Sequence, residues 1–315
     1  MRRLIFTLIA FSLTLSVFAQ NNKTKTPTNW KAGGTIGLYG SQGGSRNWAA
    51  GSEKFSLAFA GVLNLWANRN VGKHTWANGL EINYAMTNLH DVGVRKLDDK
   101  IDFVSKYTYD ITKKFSVGVM FNTRTQMTNG FDYPARDRVD IDRKRRISGF
   151  FAPAYITFAP GVELKVTSYF SVFMAPLAAH WVVVTNSPYS FSYQGGIKPD
   201  NTVERSLASM YGVDPEKKVR FEAGPFVSAK FNKELVKNVM YRSRLDLFSD
   251  LTNEEPMNVD VFWNNSFGLR VNNWLQTSLK IDVIYDDNVT MFGRNKTSPA
   301  AQLNSMLGVG ITAKF

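Results

Sequence analysis

The chain has no cysteine and only three histidines in 315 residues. Past Ala19 it also lacks any apolar run of the roughly 20 residues that a membrane-spanning helix needs. Each absence removes a class of protein. Without Cys there is no disulfide, no thiolate metal site and no lipid-anchored N-terminal cysteine, and the lack suits a chain that crosses an oxidising compartment, where a stray thiol is a liability. His74 and His90 fall beside expected turns and loops. His180, in Ala178-Ala179-His180-Trp181, is on a strand-like stretch, but Ser171 is far along the same stretch, so no nucleophile–base pair forms. There is no glycine-rich phosphate loop. Asp286-Asp287-Asn288 offers too few oxygens for calcium, which takes six or more, and no distal Glu completes a loop. No enzymatic activity, cofactor or metal is therefore expected.

What is present begins with Arg2 and Arg3, then an apolar stretch from Leu4 to Phe18 and small residues ending at Ala19. This pattern reads as a secretory signal peptide over 1–19, followed by a short periplasmic segment over 20–29. The expected mature chain of about 296 residues is rich in aromatics and glycine, with 23 Phe, 12 Tyr, 7 Trp and 23 Gly, and its charges are scattered thinly through apolar stretches. The net charge is +12, and no basic–aromatic nucleic-acid pattern accompanies it. An exported cationic chain points instead to lipopolysaccharide phosphates, an anionic solute or an acidic protein.

The dominant pattern is alternation with a period of two, the signature of a strand with two unlike faces. Trp76, Leu80, Ile82, Tyr84 and Met86 interleave with polar and small residues. So do Val259, Val261, Trp263, Phe267 and Leu269, then Leu275, Leu279, Ile281, Val283 and Tyr285, and finally Leu303, Leu307, Val309, Ile311 and Phe315. Twelve such segments are expected, near 30–41, 53–68, 74–89, 97–111, 115–130, 147–160, 170–185, 218–231, 238–250, 258–270, 275–286 and 300–315. Each reaches the roughly 9–11 residues that a tilted strand needs to cross a bilayer. Links after even-numbered strands are short and the others mostly longer, the asymmetry of periplasmic turns and external loops. The turns at 111–117, 166–172, 231–236 and 271–275 share one form: an apolar residue, a polar turn with Thr or Asn, then an aromatic or Leu. Lipid tolerates no open sheet edge, so strand 12 must close on strand 1. The fold class is thus all-β: a transmembrane, antiparallel, up-and-down outer-membrane β-barrel of about twelve strands over 30–315. Pro153, Pro176 and Pro225 fall within expected strands 6, 7 and 8 and require bulges there, which leaves the faces of strands 6 and 7 open.

Several stretches resemble a known family: Phe151-Ala152-Pro153-Ala154-Tyr155-Ile156-Thr157, Tyr169-Phe170-Ser171-Val172-Phe173 with Ala175-Pro176-Leu177, Gly212-Val213-Asp214-Pro215, and Ile284-Tyr285-Asp286-Asp287. Together they are similar to the uncharacterised Bacteroidota outer-membrane family termed domain of unknown function three-zero-seven-eight. The resemblance implies an outer-membrane barrel and supplies no activity. Phe315 resembles the terminal aromatic that the barrel-assembly machinery reads in outer-membrane proteins.

The lumen face of the alternating strands offers Glu81, Asp102, Lys106, Arg124, Gln126, Arg220, Glu222, Arg242, Arg244, Asp246, Asp260, Arg270, Lys280 and Asp282. These either line a charged pore or pair with one another in a filled barrel. Arg242, Arg244 and Arg220 suggest an anion-attracting wall. The link after strand 5 carries Arg136, Arg138, Arg143, Lys144, Arg145 and Arg146, suited to lipid-A phosphates or to local ion pairs with nearby Asp residues. The link over 186–217 is the longest. A short helix is expected in it over Thr202–Tyr211, capped by Asp200 or Asn201 and stopped by Gly212, and the link either folds inward or forms an outer flap. Two roles follow. The first is a small channel or solute-transport barrel in the Gram-negative outer membrane. The second is a non-conducting structural or docking barrel that engages lipopolysaccharide or a surface or secretion partner through its external loops.

Overall fold

A computed structural model gives the architecture, describing residues 29–44, 55–89, 93–132, 145–185, 196–197, 203–204, 206–252, 258–290 and 298–315. The expected signal peptide lies outside the described residues, as do His90 and Arg136, Arg138, Arg143 and Lys144 of the basic link.

Twelve antiparallel strands close into one ring, each paired with its neighbour in sequence. They are β1 (Trp30–Gly44), β2 (Phe55–Val71), β3 (His74–Leu89), β4 (Gly93–Asp110), β5 (Phe115–Thr125), β6 (Ala154–Lys165), β7 (Phe170–Val183), β8 (Val219–Val236), β9 (Val239–Ser249), β10 (Val259–Arg270), β11 (Leu275–Tyr285) and β12 (Gln302–Lys314). The seam closes as expected, with Thr35 opposite Lys314 and Gly40 opposite Val309. Phe315 finishes it: its N–H donates to the Gly34 carbonyl at 3.1 Å, and the Gly34 N–H returns the bond at 2.9 Å.

The outside of the ring is apolar. On β12, Leu303, Leu307, Val309 and Ile311 are each more than half exposed. Ile36 and Leu38 on β1, Phe59 on β2 and Trp263 on β10 continue the same belt. In water such a belt is a large unpaid exposure of apolar surface; in a bilayer it is solvated. At the edge nearest the short turns the belt turns aromatic. Tyr169, Phe231, Tyr241 and Phe267 stack in succession across four elements at 5.4, 5.6 and 4.4 Å, and Trp30 meets Trp76 at 5.4 Å. Two of the outward-facing indole N–H groups have partners: Trp76 donates to Ser105 at 2.9 Å and Trp263 to Ser243 at 3.0 Å. That is the requirement on polar groups where water is absent.

The Thr/Asn turns form for the expected reason. Thr112 Oγ1 accepts from the Phe115 N–H at 3.0 Å, and Asn272 Oδ1 accepts from Trp274 and Leu275 at 2.9 and 2.7 Å. The run at 231–236 departs from the pattern. It remains strand to the end of β8, and the turn comes two residues later, at Asn238 with φ +69°.

Strand 6 also departs from expectation. It runs Ala154–Lys165 rather than 147–160, and Arg145–Ser148 instead pairs with Gly130–Asp132 in a small outer hairpin. Pro153 therefore precedes β6, while Pro160 lies within it. Pro160, Pro176 and Pro225 sit side by side on β6, β7 and β8, where both registers shift. Proline donates no ladder bond, so the irregularity is shared across three strands. Its consequence is a phase flip in β7: Phe173 and Ala175 are buried before it, Ala178 and Val182 after it.

Candidate functional site

The lumen is the concave site to which all twelve strands contribute, and its outer and inner halves differ. At the outer end the long link turns inward. Its helix α1 (Leu207–Met210) is shorter than expected and is capped by Ser206, whose Oγ accepts from the Ser209 N–H at 3.1 Å. Asp200 and Asn201 are outside the described residues, and the cap falls to Ser206 because the helix starts only at Leu207. Gly212 ends the turn at φ +67°, a left-handed conformation that glycine adopts without Cβ strain. Leu207, Ala208, Met210, Tyr211 and Val213 pack with Val182, Val184 and Val289 into one buried cluster. Tyr211 donates to the Ile147 carbonyl at 2.6 Å, and Arg220 donates to the Gly212 carbonyl at 3.1 Å, which fixes the link to the wall.

Below this apolar cluster lies a buried charged layer. Arg220 meets Glu222 at 2.7 Å and His180 meets Glu222 at 3.0 Å. The histidine noted in the sequence is thus buried beside the Glu222 carboxylate, edge-on to Phe248. Asp260 from β10 joins Asp286 and Asp287 from the link after β11, their carboxylate oxygens lying within 4.8 Å of one another. Sequence spacing gave no sign of this trio, because 26 residues and a hairpin separate its first two members. Burial pushes the Asp286 carboxyl up to about 6, with Arg220 and the Asn288 N–H acting in the opposite sense. Three carboxylates placed so close together could hold a hard cation or share a proton.

The next layer spans the lumen. Asp102 on β4 takes Arg124 from β5 at 3.1 Å and Arg244 from β9 at 3.2 Å. Arg124 also reaches Asp246 on β9 at 3.2 Å, and Arg244 reaches Asp246 at 2.6 Å. Asn122 and Ser228 donate to the two carboxylates at 2.7 Å each. A second set joins β4 to β11: Lys280 meets Asp98 at 2.6 Å and Asp282 at 3.0 Å, while Lys100 pairs with Glu81 at 2.8 Å. In a ring of twelve, β4 lies nearly opposite both β9 and β11. Side chains from facing walls therefore touch directly at this level.

The inner half is hollow. A cavity of about 680 Å³ lies beneath the charged layer, lined by residues of every strand.

Most of the lumen residues expected from the sequence are accounted for by these layers. Glu81, Asp102, Lys106, Arg124, Arg220, Glu222, Arg244, Asp246, Lys280 and Asp282 all form ion pairs, and Asp260 is in the carboxylate trio. Gln126 accepts from Lys96 at 3.0 Å. Arg270 is exposed at the inner rim. The expected anion-attracting wall of three arginines does not form, because Arg220 and Arg244 are neutralised by their own carboxylates and only Arg242 is left open to the cavity. Four inward residues were not among the expected ones: Asp98, Lys100, Glu163 and Lys230. Asp98 and Lys100 keep the inward phase of Asp102, and Lys230 that of Glu222, whereas Glu163 lies on β6, where no lumen residue was expected.

Comparison with solved structures returns outer-membrane barrels. The NanC porin shares 9% identity, covering 89% of this chain and 100% of that one, with a TM-score of 0.35. The translocator domain of the autotransporter NalP from Neisseria meningitidis shares 11%, covering 99% and 96%, with a TM-score of 0.33. The COG4313 outer-membrane channel from Pseudomonas putida F1 shares 6%, covering 94% and 98%, with a TM-score of 0.37. A comparison with curated proteins gives no match. Residues 41–131, from β1 to the strand after β5, match the model of the family described as "Protein of unknown function (DUF3078)", the family that the sequence motifs resemble.

Proposed function

We propose that the protein is an outer-membrane barrel whose lumen is closed to passive diffusion in this state, leaving a vestibule that faces the periplasm. The observation that carries this reading is the pairing across the lumen: Arg244 with Asp102 and Lys280 with Asp98, from strands on facing walls. Above them the apolar cluster around Tyr211 and Val213 fills the outer mouth. The apolar belt and its aromatic edge support the membrane placement. The basic outer link at 133–146 and the inward-turned long link then serve docking rather than gating of a wide pore. The test is electrical. Protein inserted into planar bilayers, with insertion verified by protease protection, is expected to give no discrete conductance steps. Stable ohmic steps from the unmodified protein would overturn the reading.

A solute channel that opens on demand is the second reading, and the 680 Å³ cavity favours it. It predicts silence in the unmodified protein and steps once the inner charge layer is removed by mutation.

A further inference from the structure

The vestibule has a charge pattern that its own walls do not satisfy. Six cationic side chains line it (Lys106, Lys230, Arg242, Arg244, Lys280 and Lys314) against four carboxylates. Each of the four carboxylates is already committed: Glu81 to Lys100, Asp102 to Arg124 and Arg244, Glu163 to Lys106, and Asp282 to Lys280. Lys230, Arg242 and Lys314 are left over. All three line the cavity, none makes a hydrogen bond or an ion pair with a described residue, and Lys230 and Arg242 stand on adjacent strands.

These two cations are also close to each other. Lys230 stands opposite Arg244 and Asn232 opposite Arg242 in the β8–β9 register. Lys230 and Arg242 are thus diagonal neighbours on one face, with α carbons roughly 7–8 Å apart. Lys230 feels Lys106, Arg244 and Arg242 as like charges, with Glu163 alone opposing them. Like charges placed together on a sheet are destabilising unless something answers them. Deeper in the cavity the wall becomes apolar, with Met120, Phe173 and Met306 beneath the paired layer. The volume lies within the roughly 300–1,000 Å³ range of small-molecule sites.

We infer that the vestibule is a binding site for an organic anion, a phosphate or carboxylate carrying an apolar body. Its charged end is held by Lys230 and Arg242 near the inner mouth, and its apolar end lies against Met120, Phe173 and Met306. Arg supplies a planar fork that matches a carboxylate or phosphate edge, and Lys a mobile point charge that adapts to the remaining oxygen. The site needs only the cavity and this pair of cations, so it stands whether or not the barrel conducts.

The test uses the mature protein in nanodiscs of zwitterionic phosphatidylcholine, titrated calorimetrically with phenyl phosphate, inorganic phosphate and benzyl alcohol. Phenyl phosphate should bind, inorganic phosphate should bind at least roughly tenfold more weakly, and benzyl alcohol should bind weakest. The double variant Lys230→Gln, Arg242→Gln should lose at least roughly tenfold in affinity for phenyl phosphate. Should that variant fail to fold, Ser171→Trp keeps both cations and fills the wall opposite Lys230, and it should abolish binding. Binding by the double variant within about twofold of the unmodified protein would overturn the assignment. So would unchanged binding by the Ser171→Trp variant, inorganic phosphate binding as tightly as phenyl phosphate, or benzyl alcohol doing so. Mass spectrometry of an organic extract of the protein purified from its own membrane separates the sources: a retained lipid anion identifies a headgroup, and its absence a free solute.

Discussion

Replacing Asp102 by Ala asks whether the lumen is filled or wet. The carboxylate accepts from the Arg124 Nε and Nη2 at 3.2 and 3.1 Å, from Arg244 at 3.2 Å and from Asn122 at 2.7 Å. At 3.2 Å, a unit pair attracts by about 5 kcal/mol at an effective dielectric of 20 but by only about 1.3 kcal/mol in bulk water. Removing Asp102 leaves two guanidinium groups on Asp246 alone, one of them nearly buried. Breaking a buried pair in this way costs about 3–5 kcal/mol. The double variant Asp102→Ala, Arg124→Met should cost less than the sum of its parts, with a coupling of about 1–3 kcal/mol, because it removes the orphaned charge as well. Denaturant-driven unfolding from lipid vesicles, followed by tryptophan fluorescence, measures all three variants. A cost for Asp102→Ala below about 1 kcal/mol, the value of a solvated surface pair, would refute the reasoning, since it would mean that water fills this level of the lumen.

Two further predictions follow from the ends of the molecule. Removal of Phe315 deletes both seam bonds to Gly34 and should leave the protein exported but slow to reach its folded, heat-modifiable form; assembly at the normal rate would show that the seam closes without it. Asp286 carries the pH dependence. It faces Arg220, Glu222, His180, Asp260, Asp287 and Tyr155, and burial holds its folded value near 6 against 3.8 in an unfolded chain. The folded state therefore binds the proton more tightly, and its contribution to stability falls as pH rises from about 4 to about 6. Amide exchange over 207–213 and 286–289, corrected for intrinsic rates, should show weaker protection at neutral pH than on the acidic side of this window. Protection that rises with pH would overturn the sign.

The ring of twelve strands was legible because the physics behind it is local. A strand with lipid on one side and lumen on the other must alternate, and wherever it alternates without interruption, as on β3, β10, β11 and β12, its bounds fall within two residues of expectation. The turns were legible at Thr112 and Asn272 for the same reason: the bonds that make them span three residues. Legibility failed wherever an irregular residue reset the phase. Pro176 flips the inward face of β7 halfway along its length, and no count of alternating residues recovers that without knowing that Pro160 and Pro225 stand beside it on the neighbouring strands.

The lumen divides along the same line. Each inward charge could be assigned a face from its own strand, but whether it opens a pore or closes one depends on the wall opposite. Asp102 and Arg244 are 142 residues apart, and Asp98 and Lys280 are 182 apart. The sequence treats Arg220, Arg242 and Arg244 as equivalent arginines on one face. Closing the ring makes them unlike: Arg220 and Arg244 become buried halves of ion pairs, and Arg242 alone keeps its charge available. The functional question therefore moves from how many charges line the barrel to which of them the fold leaves unanswered. Those are Lys230 and Arg242, on adjacent strands, and Lys314. An open pore has no need to segregate its charges this way, since water answers them all. A barrel that buries Arg124, Arg220 and Arg244 in ion pairs and leaves Lys230, Arg242 and Lys314 unpaired around a hollow has the charge arrangement from which we propose an anion site.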